Sequence, residues 1–219
     1  MIGFHELKEQ QRNQRHGFPD NLAIRVHRAL SWLKKAEACE GDNDAQFIFL
    51  WIAFNAAYAN EVDKAHRLPE AQTFEHFIEK LYDLDKDKHL AGFIWEEFAG
   101  SIRVLLDNKF IYQPFWDFKN GYISEIEWTT RFDNAKKYAN KALGNANTPQ
   151  VLTIIFERVY TLRNQLLHGG ATHDSAVNRE QIRDCCRLMK KLVPTIIKIM
   201  MENPNTLWGD AHYPVLPAQ

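Results

Sequence analysis

Residues 148–170 read TPQVLTIIFERVYTLRNQLLHGG, and this stretch decides the fold. Thr148 carries a good N-cap side chain, Pro149 has the fixed φ that suits a first helical turn, and Gly169-Gly170 supplies a stop about twenty residues later. The spacing predicts a helix over about 149–168. At about 100° per residue, Leu152, Ile155, Phe156, Val159, Leu162 and Leu166 form one apolar stripe. Arg163 falls inside that stripe, four residues after Val159 and seven after Phe156. A cation there must be paired, or must reach a cleft or a subunit interface, because an unpaired buried charge is very costly.

His168 is the last residue before the two glycines. The negative end of the helix dipole favours an imidazolium there, and the helix no longer fixes the direction of the side chain. In an unbroken helix, five residues of separation set two side chains about 140° apart, so the unwinding is what lets His168 turn toward Arg163. Asn164, four residues before His168, lies on the histidine's side and can orient its ring. Two readings of these residues stand side by side. In one, Arg163 is buried against an acidic residue of the middle helices and His168 satisfies terminal carbonyls; in the other, the three residues form a site.

The helical period continues outward from this segment and no alternating strand pattern competes with it, so the predicted class is all-α. Upstream, Ser124 and Glu127 read as a capping box opening a helix that closes at Gly144. Residues 111–122, aromatic and carrying Pro114 and Gly121, read as an irregular connector or short helix. Helices are expected over about 73–85 and 90–108, and another over about 44–62, where FIFLWIAFNAAY (47–58) is apolar on nearly every side and should sit centrally. Asp20 can cap a helix bearing Leu22, Val26, Ala29, Leu30, Leu33 and Ala36 and ending near Cys39. Downstream, residues 175–201 place Ile182, Cys185, Leu188, Met189, Leu192, Ile196 and Met200 on one face, with a kink at Pro194. Trp32, Trp51, Phe54 and Trp95 are expected in the core, and Asn55 is expected to bond to backbone.

The 219 residues suit a single domain with a core over about 20–201, a polar N-terminal arm and a C-terminal tail that docks or frays. Hydrophobic residues at 45% and charged residues at 25% are the balance of a globular protein. The polar N-terminus lacks the features of a secretory signal, and the longest apolar run, 47–59, is shorter than the roughly 20 residues a membrane-crossing helix needs. Three cysteines without a Cys-x-x-Cys pair imply neither a disulfide framework nor a zinc site, and point to a reducing, cytoplasmic setting. Net charge is −1, but residues 1–38 carry seven basic and four acidic side chains and residues 151–201 carry eight and four. If the first and last helices pack together, one face is basic. Asp83, Asp85 and Asp87 resemble the start of a calcium loop but lack its glycine and closing glutamate. His173, Asp174 and Ser175 are adjacent rather than convergent, and so read as a helix cap rather than a triad.

RNQLLH (163–168) resembles the signature of HEPN domains, an arginine, four to six residues and then a histidine, often with a polar residue directly after the arginine; here the spacing is four and the polar residue is Asn164. The surroundings are similar too, with the motif ending a long helix, a final long helix after it and the apolar 47–58 helix upstream; the HGG ending is similar to the Apea-like subgroup. The resemblance covers roughly residues 20–201. It implies a helical bundle that dimerises about a two-fold axis so that two motifs face each other, which would put Arg163 at a subunit interface. It also implies metal-independent RNA cleavage with no cofactor. Arg163 would hold the phosphate, His168 would be general acid or base, and Asn164 would position either one. RNA is then the expected substrate, single-stranded or in loops, and an antitoxin protein a further partner in a toxin or phage-defence role. The alternative is a non-catalytic HEPN module that binds RNA, a nucleotide or a protein. Some toxins of this family are silenced through a tyrosine two residues after the histidine; Gly170 stands there, so that control is not expected.

Overall fold

A computed structural model describes residues 2–58, 70–97, 99–176 and 178–209. Among them the secondary structure is helical, with no strand, so the chain is all-α. It forms two compact units, one on each side of divisions at residues 87/88 and 188/189.

The first unit opens with α1 (Phe4–Gln14), in the stretch expected to be a polar arm. The Gly3 N–H donates to Glu6, the Phe4 N–H donates to Glu37 at 2.7 Å, and Leu7 is buried, so a few anchored contacts outweigh the polar composition. α2 (Asp20–Glu37) buries the expected stripe from Leu22 to Ala36; Pro19 rather than Asp20 is the N-cap. α3 (Asn43–Tyr58) buries Phe47, Leu50, Trp51 and Phe54. The continuation of this helix expected to residue 62 falls at residues 59–62, outside those described.

Polar groups in this core find backbone partners: Arg25 Nη1 donates to the Ala57 carbonyl at 2.8 Å, and Gln46 donates to that of Ala36 at 2.9 Å. Trp32 departs from its expected core position. It is 38% exposed and stacks on Phe49 at the surface, 5.7 Å between centroids. Asn55 is partly buried, and its side chain hydrogen-bonds to no described residue. α4 (Glu70–Leu84) completes the N-terminal portion of this unit.

In the second unit, the helix expected over 90–108 is interrupted. α5 (His89–Gly92) passes into a π-helical turn (Phe93–Glu97), and α6 (Ala99–Leu106) follows. A 3₁₀ turn (Lys109–Ile111) and α7 (Gln113–Lys119) form the connector. α8 (Glu125–Gly144) is capped by Ser124, which accepts from the Glu127 N–H at 3.2 Å. The expected capping box is half made, because the Glu127 carboxylate turns to Arg131 instead.

α9 (Thr148–Leu167) follows, and then α10 (Arg179–Glu202), whose residues from Met189 onward belong to the first unit. α10 starts later than expected, with Asp174 paired to Arg179 at 3.5 Å, and Pro194 lies within it. Among the described residues no helix is long and apolar enough to cross a membrane.

Candidate active site

The N-terminus of α9 is anchored differently from the sequence expectation. Asn147 is the N-cap, its Oδ1 accepting from the Gln150 N–H at 3.1 Å. Thr148, read as the cap, is the first helical residue; its buried hydroxyl accepts from the indole of Trp95 at 2.8 Å. Asn and Thr are both competent caps, and a buried hydroxyl with an indole in reach is better used there.

From that anchor the helix buries Leu152, Ile155, Phe156, Val159 and Leu162 as its stripe predicts. Arg163, on the same stripe, is only partly buried. Its Nη1 donates to Asn164 Oδ1 at 2.8 Å, and its guanidinium carbon stands 5.6 Å from the Tyr160 ring centroid. Arg163 and Asn164 are thus brought together side chain to side chain, which commits the amide oxygen of Asn164 to the guanidinium and not to a ring nitrogen of His168. His168 is the C-cap: its backbone N–H donates to the Asn164 carbonyl at 3.0 Å, and its side chain is exposed and hydrogen-bonds to no described residue.

The chain then leaves the helix through a Schellman turn. Gly169 takes φ +71°, the left-handed region where a Cβ is costly, and its N–H donates to the Leu166 carbonyl at 3.2 Å. The Gly170 N–H donates to the Gln165 carbonyl at 2.7 Å, and a Cβ on Gly170 would stand 2.9 Å from that oxygen. A side chain at 170, tyrosine included, forces this turn to shift.

Two further residues of α9 went unnoticed in the sequence. Gln165 clamps two segments at once: its Nε2 donates to the Phe110 carbonyl of the connector at 2.7 Å, and its Oε1 accepts from Asn178 at 2.9 Å. No pattern announces such a residue. Arg158 is 2% exposed, with its guanidinium carbon 4.2 Å from the Tyr112 ring centroid and neither hydrogen bond nor ion pair to a described residue. Burial pushes its pKa below the usual arginine range, while the Tyr112 hydroxyl is pushed up, by burial first. This residue had a signal: it lies within about 40° of Ile154 and Leu162 on the wheel.

At the exit of α9, then, an exposed imidazole stands on a rigid turn, one helical turn past a guanidinium whose planar donors are steadied by a neighbouring amide. Such a set can move a proton and hold a phosphate. Compared with known protein families, with curated proteins and with solved structures, the chain matches none.

Proposed function

We propose that the protein is a metal-independent endoribonuclease of the HEPN type, acting in the cytoplasm as a homodimer with Arg163, Asn164 and His168 of both copies around the two-fold axis. The observations that carry this reading are the Arg163–Asn164 bond and the exposed His168 at the end of the same helix, held by the Schellman turn. A partly buried arginine on a core-facing stripe is explained if a second copy covers that face.

In the reaction, the 2′-hydroxyl of RNA attacks the adjacent phosphorus and the bond to the 5′-oxygen breaks. One His168 takes the hydroxyl proton and the other protonates the leaving oxygen. Arg163 offsets the charge that builds on the phosphorane oxygens. Asn164 acts by holding Arg163 through its amide oxygen. A toxin or phage-defence role, with an antitoxin as partner, belongs to this reading.

A second reading is a non-catalytic module that binds RNA, a nucleotide or a protein, and the lack of a hydrogen-bond partner for the His168 ring among the described residues favours it. Incubating the purified chain with RNA and a chelator separates the two. The nuclease reading expects cleavage that Arg163→Ala and His168→Ala each abolish with the dimer intact. General acid–base help is worth about 10²- to 10⁴-fold, so the loss is easily measured. Equal activity in all three proteins, or a monomer in solution, removes the nuclease.

A further inference from the structure

Gln165 links the candidate active site to the connector. Its bond to the Phe110 carbonyl pins residues 109–119 against α9, and the Trp116 indole donates to the same carbonyl at 2.8 Å. The connector and the start of α8 are unusually aromatic. Phe115 packs edge-on against Phe110 (5.6 Å) and against Trp128 (5.2 Å), and Tyr112 packs on Phe132 (5.3 Å). Phe110 remains 41% exposed, and α8 adds Ile126 at 80%.

Cations are interleaved with these rings. Lys109 lies 5.3 Å from the Phe110 centroid and 5.5 Å from that of Phe115, and Lys119 lies 5.6 Å from Phe115 and 5.1 Å from Phe118. Both lysines are exposed, and neither is paired with a carboxylate of a described residue. Glu127 pairs with Arg131 and Asp107 with Lys136, and Asp117 accepts from Gln113. Beneath the aromatic layer lies the buried Arg158 guanidinium on Tyr112, without an ion pair to a described residue.

We infer that the connector, through Phe110, Lys109 and Lys119, is a platform for single-stranded RNA. The exposed Phe110 ring supplies a face on which a base stacks without regard to sequence, and the lysines supply the charge that tracks a phosphate backbone. A protein partner would need carboxylates or an apolar ridge at defined places. A run of exposed ring and unpaired cations is the pattern that a flexible polyanion with π-faces satisfies.

The platform rests on the nuclease reading in one respect only, the direction in which the strand leads. On the wheel of α9, His168 is about 60° from Gln165, and Asn164 and then Arg163 lie further round the same way. A strand leaving the connector at Gln165 therefore meets the imidazole first and the guanidinium after it.

The test is fluorescence anisotropy of a labelled single-stranded oligoribonucleotide of roughly 16 nucleotides, the upper site size of single-strand binding folds, with the full chain carrying His168→Ala and a chelator present. Phe110→Leu keeps an apolar side chain against Phe115 and removes the exposed ring. It should weaken binding about 5- to 150-fold, the range for loss of one stacked base, and leave the salt dependence unchanged. Lys109→Ala with Lys119→Ala should flatten the plot of log affinity against log salt by about 0.7 per lysine. Equal affinity in the parent and both variants overturns the platform, as does a duplex or inorganic polyphosphate binding as tightly as the single strand. The two proposals fail separately. A chain that binds through these residues and never cleaves keeps the platform and loses the nuclease. A chain that cleaves limiting RNA equally well with and without Phe110 keeps the nuclease and loses the platform.

Discussion

Replacing Gly169 by alanine asks whether the turn that presents His168 is held by backbone geometry. The residue sits at φ +71°, where an L side chain brings its Cβ against the following carbonyl at a cost of roughly 1–2 kcal/mol. Nothing lies within 4 Å of the added Cβ, so no steric contact adds to the torsional cost and no packing offsets it. For a chain of 219 residues, each 1 kcal/mol moves Tm by about 2–4 °C, so the expected loss is about 2–8 °C. Gly169→Asn should lose less, because asparagine enters this region more readily.

Gly170→Ala tests the same turn by another route. Its Cβ would meet the Gln165 carbonyl oxygen at 2.9 Å, a backbone atom that cannot swing away, so the 2.7 Å bond from the Gly170 N–H must lengthen or break at about 0.5–1.5 kcal/mol. The two changes share one turn and should not add. Thermal melts of the three variants decide the matter. Gly169→Ala melting with the wild type, or Gly169→Asn melting below Gly169→Ala, would refute the reasoning. Cleavage assayed well below every Tm should fall in Gly170→Ala although no catalytic side chain has changed.

Arg158→Met removes a nearly buried guanidinium whose desolvation costs several kcal/mol and whose stacking on Tyr112 returns about 2 kcal/mol; the thioether keeps most of the volume and a contact with the ring. The melting temperature should hold or rise by a few degrees, whereas Arg158→Ala should melt lower because it leaves a cavity; equal losses in the two variants would mean that the guanidinium is held for stability. Titration of the native chain with iodoacetamide near pH 8 should modify Cys39 alone. Cys185 and Cys186 are buried, and burial pushes the Cys185 thiol well above its ordinary range, so little thiolate is present to react; rapid alkylation of all three thiols would contradict that packing.

Local signals in the sequence read correctly where the chain decides its own conformation. Pro149 and Gly169 bracket α9 because fixed φ and permitted positive φ are properties of those residues alone, and the 2–58 segment yields α2 and α3 from apolar spacing. The readings drift where two local solutions are close in energy. Asn147 and Thr148 are both good caps, and the choice falls to the Trp95 indole, 53 residues away. Glu127 could close the capping box or pair with Arg131, and it pairs with Arg131. The π turn at Phe93–Glu97 leaves no mark on a 3.6-residue period that a reader could separate from an ordinary helix.

The site shows the same division in a sharper form. A helical wheel tells which side chains share a face, and it placed both Arg158 and Arg163 among apolar neighbours. It does not tell what covers each face. The connector, pinned by Gln165 to the Phe110 carbonyl, covers the face of Arg158 and buries it, so the cation that looked unremarkable is the more enclosed of the two. Arg163 keeps part of its surface, with Asn164 and Tyr160 beside it. The connector's Tyr112 therefore encloses Arg158 within one subunit, whereas the part of Arg163 left exposed is where the proposed second copy or a phosphate would meet it. That difference makes Arg163 the residue whose substitution should leave the fold standing and take the activity away.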